Sequence, residues 1–287
     1  MAISSQLLAA GADWRVSDVV CTAGPKDRPY EEQHGQMCIA LVTRGTFHYR
    51  TAQGSAVMAP GSLMLGNSGA CFECGHGHSV GDRCLAFHVS PELFETIVAG
   101  VPGNRRGCFT APRLPPLADF LPLIATAEAL RGEGQGGEEF HELVLRLVGA
   151  TCCALSREPG ARRGPSDRDQ KRVATALRLI EADPTARLSL QELAAEAATT
   201  QYHFLRIFEQ VVGVTPGQYV LRTRLRRAAI ALRSSSESIS AIAGSCGFSD
   251  LSTFNRQFRR AMGATPSAFR ANPFVREADR LPPTRGF

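Results

Sequence analysis

GVTPGQY, residues 213–219, returns as GATPSAF at residues 263–269, with glycine, threonine, proline and an aromatic ring at the same spacing. An offset of 50 also pairs Phe204 with Phe254, Arg206 with Arg256, Phe208 with Phe258 and Pro216 with Pro266. Upstream the offset becomes 49: Leu190, Leu193 and Ala194 pair with Ile239, Ile242 and Ala243, and Ala198 with Gly247. The one-residue change falls between TTQYHF and FSDLSTF, where a turn between helices tolerates it. The last third of the chain therefore contains one supersecondary unit twice.

Each copy reads as a short helix with apolar residues at i, i+3 and i+4, a tight turn, and a second helix whose paired Phe residues mark a buried face. The periodicity predicts supporting helices over 190–197 and 239–246 and second helices over 201–211 and 250–262, which is helix-turn-helix geometry. Thr200 and Ser249 occupy N-cap positions. Gly213 and Gly263 end the second helices, and Gly247 suits a positive φ. Thr215 and Thr265 can each cap a new helix whose first residue, Pro216 or Pro266, needs no amide donor. The helix opened after the first copy carries Arg222, Arg224, Arg226, Arg227 and Arg233, and is expected to hold the two units at a fixed separation.

Charge agrees with a polyanionic partner for this region. The 287 residues carry a net charge of +5, but 170–272 holds 14 Lys and Arg against 7 Asp and Glu, a net of +7 that leaves −2 for the rest. No run of 18 or more apolar residues occurs, and the N-terminus lacks a basic stretch followed by an apolar one. Neither a membrane span nor a secretory signal is expected, and the chain reads as cytoplasmic. Nine cysteines, an odd number, are then expected to stay reduced.

Composition divides the chain. The stretch 157–169 gathers Pro, Gly and charge and reads as a linker, and 273–287 as a disordered tail. The N-terminal domain is expected over 1–156, with short β-favouring runs up to about Val89 followed by two helical patterns, and an all-α domain over 170–272. The fold class is α+β. In 138–155, Phe140, Val144, Leu147, Val148 and Leu155 share one helical side that packs on its own domain or on a second copy.

The duplicated unit, above all GFSDLSTFNRQFRRAMGATPSAFR, resembles the double helix-turn-helix domain of AraC/XylS-type transcriptional regulators over about 173–271. The resemblance implies a sequence-specific regulator whose second helices enter successive major grooves about 34 Å apart on one face of promoter DNA. Base-edge readers are then Gln201, Tyr202, His203 and Arg206 in one unit and Asp250, Ser252, Thr253 and Arg256 in the other. Arg reads guanine bidentately and Asn or Gln reads adenine. Arg222, Arg226, Arg227 and Arg259 are expected on phosphates. The same resemblance implies RNA polymerase and a second copy of the chain as partners, and slightly favours activation.

The N-terminal part resembles the cupin-like β-barrel that serves as a sensing domain in that family. Glu32, His34, Cys38 and Gly45 stand at the first cupin motif, and Leu65 takes the His position of the second, so the resemblance implies no working enzymatic site. More unusual is CFECGHGHSVGDRC, 71–84, which places Cys71, Cys74, His76, His78 and Cys84 within 14 residues, with His34 able to approach across strands. Three readings stay open: a bound zinc or iron ion, thiols made reactive by Arg83 and the histidines, or buried side chains around an organic effector pocket. Cys21, Cys108, Cys152 and Cys153 are assigned to core packing. Two other classes of function are weighed: a cupin-type metal-dependent enzyme using Glu32, His34 and His76 or His78, and an architectural DNA-binding protein with no ligand.

Overall fold

The computed structural model describes every residue except 1–2, 30, 78–79, 102–106, 134–136, 157–164, 187 and 272–287. Most of the expected linker and the whole expected tail, together with His78, lie outside the described residues. The chain runs β1 (Ile3–Ala10), β2 (Trp14–Cys21), β3 (Glu31–Gln33), β4 (Met37–Gly45), β5 (Phe47–Thr51), β6 (Gly54–Met58), β7 (Leu63–Gly66), β8 (Cys71–Gly75), β9 (Asp82–Val89), α1 (Pro91–Ala99), β10 (Arg113–Leu114), α2 (Leu121–Glu133) and α3 (Gly137–Leu155). Then come α4 (Asp167–Ala182), α5 (Leu190–Glu196), α6 (Gln201–Val212), α7 (Pro216–Ser234), α8 (Ile239–Ser245), α9 (Leu251–Met262) and α10 (Pro266–Ala271).

A sheet-rich N-terminal part and a helical C-terminal part match the expected α+β class. Among the described residues the strands form two antiparallel sheets, ordered β1-β2-β9-β4-β7-β10 and β3-β8-β5-β6, that pack face to face. The central strands β4 and β9 are apolar on both faces because both are covered. Ile39, Leu41, Leu85 and Phe87 pack under Phe94, Phe120, Phe140 and Val144 from the helical layer. Cys38, Ala40, Val42, Cys84 and Ala86 face the second sheet, whose Phe47 and Tyr49 fill the space these small side chains leave. α3 buries Phe140, Leu143, Val144, Leu147, Val148 and Cys152, so its apolar face is taken up by its own domain.

The helical part has two cores that share α7. Val173, Leu177, Leu193, Phe204, Phe208 and Tyr219 form one, and Leu225, Leu232, Ile242, Phe254, Phe258 and Phe269 the other. Each core also takes N-terminal residues: Val57 and Ala59 in the first, Leu121 and Ala125 in the second. The two parts of the chain are thus packed together through apolar surface. Among the described residues no helix is long and apolar enough to cross a membrane.

Candidate nucleic-acid interface

The local chemistry of both second helices follows the sequence. Thr200 Oγ1 accepts the His203 amide at the start of α6, and Gly213, at φ 87°, ends that helix with its amide bonded to Glu209 O. Gly263, at φ 77°, ends α9 in the same way on Arg259 O. Thr215 and Gln218 form a reciprocal capping box with Pro216 in the first turn of α7. Gly247 has φ 85° as expected, while its counterpart Ala198 is held at φ 47°, a conformation that costs a side-chain-bearing residue about 1 kcal/mol. Its carbonyl accepts from Arg172 Nη2 at 3.2 Å.

With Phe204, Ile207, Phe208 and Val211 buried, α6 presents Gln201, Tyr202, Leu205 and Arg206 to solvent, Tyr202 at 81% exposure. With Phe254 and Phe258 buried, α9 presents Leu251, Ser252, Asn255, Arg256 and Arg259. These are two matched, outward-facing stripes able to donate to and accept from base edges. Sequence reasoning missed Asn255, which suits adenine, and Leu205 and Leu251, exposed apolar side chains suited to a thymine methyl. The i, i+3, i+4 spacing opposite the Phe pairs is the signal that marks them.

Several expected contacts have other roles. Asp250, not Ser249, caps α9: its carboxylate accepts the Ser252 amide at 3.2 Å and the Thr253 amide at 2.7 Å, and the Thr253 hydroxyl, followed by these amides, holds its pKa below the usual carboxylate value. Thr253 is half-buried, its hydroxyl 3.5 Å from Arg256 Nη2. His203 is also half-buried; its Nδ1 accepts from Arg206 at 3.3 Å and its Nε2 lies 3.5 Å from Asp169 Oδ1, so it links α6 to α4.

The phosphate assignments change most. Arg226 is only 6% exposed and donates to Glu181 Oε2 at 3.3 Å. Arg222 donates to the Pro116 carbonyl, and burial lowers its pKa. Neither is presented to DNA, because both line the junction with the N-terminal part, beside Pro60, Gly61 and Leu121. There Arg113 donates to Val211 O at 2.5 Å and Val212 O at 2.9 Å, capping the C-terminus of α6 from the other domain. Tyr219 Oη donates to Glu181 Oε1 at 2.8 Å and lies 3.3 Å from Pro60 O. Arg227 and Arg259 are exposed, Arg227 with a bond to Glu181 O at 3.0 Å. Arg224 is a brace: it donates to Pro184 O at 2.6 Å, Ala186 O at 3.1 Å and Gly247 O at 3.0 Å, tying the first unit to the turn of the second.

Between the two sheets the Cys/His residues divide into groups. Cys71 and Cys74, three apart on β8, point to opposite faces: Cys71 is exposed, whereas Cys74 packs towards the interior. Cys71 and Cys74 therefore do not chelate one ion together, as the metal reading would need. His34 is buried, stacks on Phe72 with centroids 4.1 Å apart, and meets Tyr49 Oη at 2.8 Å. Since Tyr49 gives its proton to Leu65 O at 3.0 Å, His34 Nε2–H donates. Desolvation pushes the pKa of both His34 and His88 down to about 4.

The cupin metal positions do not form a donor set. Leu65 is apolar, His34 Nε2 is engaged by Tyr49, and burial pushes the Cys38 thiol up to about 12. Burial also raises the thiols of Cys74 and Cys84, and Arg83 pairs with Asp18 on the opposite face instead of activating a cysteine. His76 Nε2 lies 2.5 Å from Asp82 Oδ2, and Cys84 Sγ lies 3.5 Å from Asp82 Oδ1. Cys21 joins this group rather than plain core packing, and Cys108 is exposed rather than buried.

A helix-turn-helix domain family matches residues 193–272. The HTH-type transcriptional activator AarP of Providencia stuartii is 32% identical over 98 residues, which cover 34% of this chain and 73% of that protein. The MmsAB operon regulatory protein of Pseudomonas aeruginosa is 35% identical over 85 residues, 30% of this chain and 28% of that protein. A solved transcriptional regulator with an AraC-type DNA-binding domain, from Chromobacterium violaceum, shares 31% identity over 38% of this chain and 96% of its own, with a TM-score of 0.35. The match spans 28–44% of the length of five further or overlapping curated relatives, so what those proteins do as wholes is not carried over. Two capped helix-turn-helix units on one shared helix define a transcriptional regulator's DNA-binding module. The chain belongs to the AraC-type helix-turn-helix regulators.

Proposed function

We propose that the chain is a sequence-specific, signal-responsive transcription factor that reads promoter DNA with α6 and α9. The observation carrying this reading is the pair of matched, exposed polar stripes on two duplicated helices. Base-edge contacts are assigned to Gln201, Tyr202, Arg206, Ser252, Asn255 and Arg256, with Arg259 and Arg227 on phosphates. His203, Thr253 and Asp250 position these readers. The domain division is taken as 1–156 and, from the N-cap Ser166, 166–271.

The reception of a signal is assigned to the interior of the two-sheet domain. The buried junction at Pro60, Pro116, Tyr219 and Arg222 supports a mechanical route to α7, along which an effector acts by favouring one of two arrangements. Catalysis is not assigned, since the cupin positions do not converge on a donor set. A cytoplasmic location follows from the proposed role on promoter DNA. RNA polymerase and a second copy are proposed as partners on family resemblance; α3 offers that copy only its outer face.

Selection of genomic fragments by the full chain, followed by sequencing, tests the reading. Recovered sites are expected to share two half-sites about one helical turn apart. Arg256→Ala should weaken binding by about 1–3 kcal/mol and relax the preference at one base pair. Fragments with no common motif, or undiminished binding by an Arg206→Ala/Arg256→Ala variant, would overturn it.

A further inference from the structure

The corner where β2 ends and β9 begins brings together donors that the sequence separates. Cys21 on β2 and Asp82 on β9 are directly opposed across the ladder, and His76 follows β8. The Cys21 Sγ, one His76 ring nitrogen and one Asp82 carboxylate oxygen all lie within 4.8 Å of one another. His76 and Asp82 side chains are 4% and 8% exposed. Four-coordinate zinc, with bonds of about 2.0–2.3 Å, needs ligand atoms separated by roughly 3.3–3.8 Å, so only small rotamer adjustments bring these three into range.

The surroundings hold the donors in place. Phe47 stacks on the His76 ring with centroids 5.7 Å apart. The Ala23 amide points at Cys21 Sγ at 3.4 Å and fixes where the sulfur sits. Gly81, at φ 70°, lets the backbone just before β9 approach Cys21: a Cβ there would stand 2.8 Å from the Cys21 carbonyl. Gly45, at φ 78°, closes the same corner, and a Cβ on it would stand 2.3 Å from Gly81 O. Two further thiols lie on the same interior: Cys84, whose Sγ stands 3.5 Å from Asp82 Oδ1, and Cys74, which packs against the cluster containing Phe47 and Cys84 from β8.

One thiol, one imidazole and one carboxylate, with spare thiols beside them, form a mixed donor set for a borderline divalent cation. We propose that Cys21, His76 and Asp82 bind a zinc-class ion, with the fourth position open to Cys84 or Cys74. This site differs from the cupin metal positions, which lie on β3, β4 and β7. It is a property of the N-terminal domain and does not depend on DNA binding.

Zinc titration of the reduced full-length chain against a chromophoric chelator provides the test. About one equivalent should bind, and Cys21→Ser and Asp82→Asn should each weaken it by more than about 10-fold, since losing a direct ligand costs at least as much as losing a group that supports one, while Cys71→Ser leaves it unchanged. A second measurement uses the unmutated chain. Bound zinc should protect Cys21 from alkylation, read by mass spectrometry, and leave Cys71 reactive; Co2+ in place of zinc should give a thiolate-to-cobalt absorption whose intensity counts the thiolates. No stoichiometric binding by the reduced wild type, a cobalt complex without a thiolate band, or binding that depends on Cys71 rather than Cys21 would overturn the proposal. The DNA-binding reading would survive each of these outcomes, and the metal site would survive a failed DNA selection.

Discussion

Substituting Gly213 by alanine tests whether the first reading helix is seated against the N-terminal domain as described. Gly213 and Gly263 end equivalent helices in the same left-handed conformation, at φ 87° and 77°. A Cβ in that conformation costs about 1 kcal/mol at either position. At Gly213 there is a second cost. The new Cβ would stand 2.6 Å from Pro115 Cβ, where carbon atoms in contact need about 3.5–4.0 Å, so one side must shift by about 1 Å. Pro115 is a rigid ring two residues from Arg113, whose guanidinium holds Val211 O and Val212 O. Overpacking of this kind costs about 1–3 kcal/mol. Gly213→Ala is therefore expected to destabilise the full chain by about 2–4 kcal/mol, against about 1 kcal/mol for Gly263→Ala. Urea denaturation followed by circular dichroism measures both, and a double-mutant cycle with Pro115→Gly isolates the contact. The excess at Gly213 should vanish in the Pro115→Gly background. An excess at Gly213 that persists without Pro115 would refute the docked arrangement.

The remaining predictions concern charge. Arg226→Ala should cost about 1–3 kcal/mol of stability by taking the cation from Glu181 Oε2, while Tyr219 and Thr223 still donate to Oε1, yet leave the slope of log binding constant against log salt unchanged; Arg259→Ala should do the reverse, reducing that slope by about 0.9. Filter binding across a salt series, paired with denaturation, separates the two. His34, with a folded pKa of about 4, binds its proton less readily than the unfolded chain does. Its stabilising contribution is fully present above about pH 6.5 and is lost as pH falls towards 4. The expected loss between pH 7 and pH 5 is about 2 kcal/mol from this imidazole alone, with His88 adding to it. His34→Gln should flatten the urea midpoint measured over that range, and an unchanged pH dependence would contradict the buried assignment. Gly66→Ala should also disturb this site, since a Cβ there would meet His34 Nε2 at 2.3 Å. Loss of the His34 tautomer signal in nitrogen-15 spectra would report it.

The reading helices were legible because their determinants are local. Phe spacing, capping Thr and terminal glycines act within a few residues, and duplication supplied each signal twice. Asp250 displaced Ser249 as the cap because a carboxylate can accept two amides at once. Arg222 and Arg226 were misassigned for the opposite reason: the groups that bury them, Pro116 and Gly61, lie more than 100 residues away along the chain. Cys21 reaches Asp82 only through the register of β2 and β9, which no local spacing encodes. The opposite orientations of Cys71 and Cys74, by contrast, follow from their odd separation once β8 is recognised as a strand.

Arg224 carries a consequence for the DNA that the proposed readers can recognise. By gripping both the segment after α4 and the turn before α9, it makes the two readers one inelastic ruler rather than two tethered probes. One base pair inserted between half-sites rotates the second by about 34° and moves it about 3.4 Å along the DNA. A flexible tether absorbs that displacement; this module must distort either the DNA or its own braced turn. If α6 and α9 read promoters as proposed, those promoters are expected to drift in base identity at individual positions far more freely than in length between half-sites.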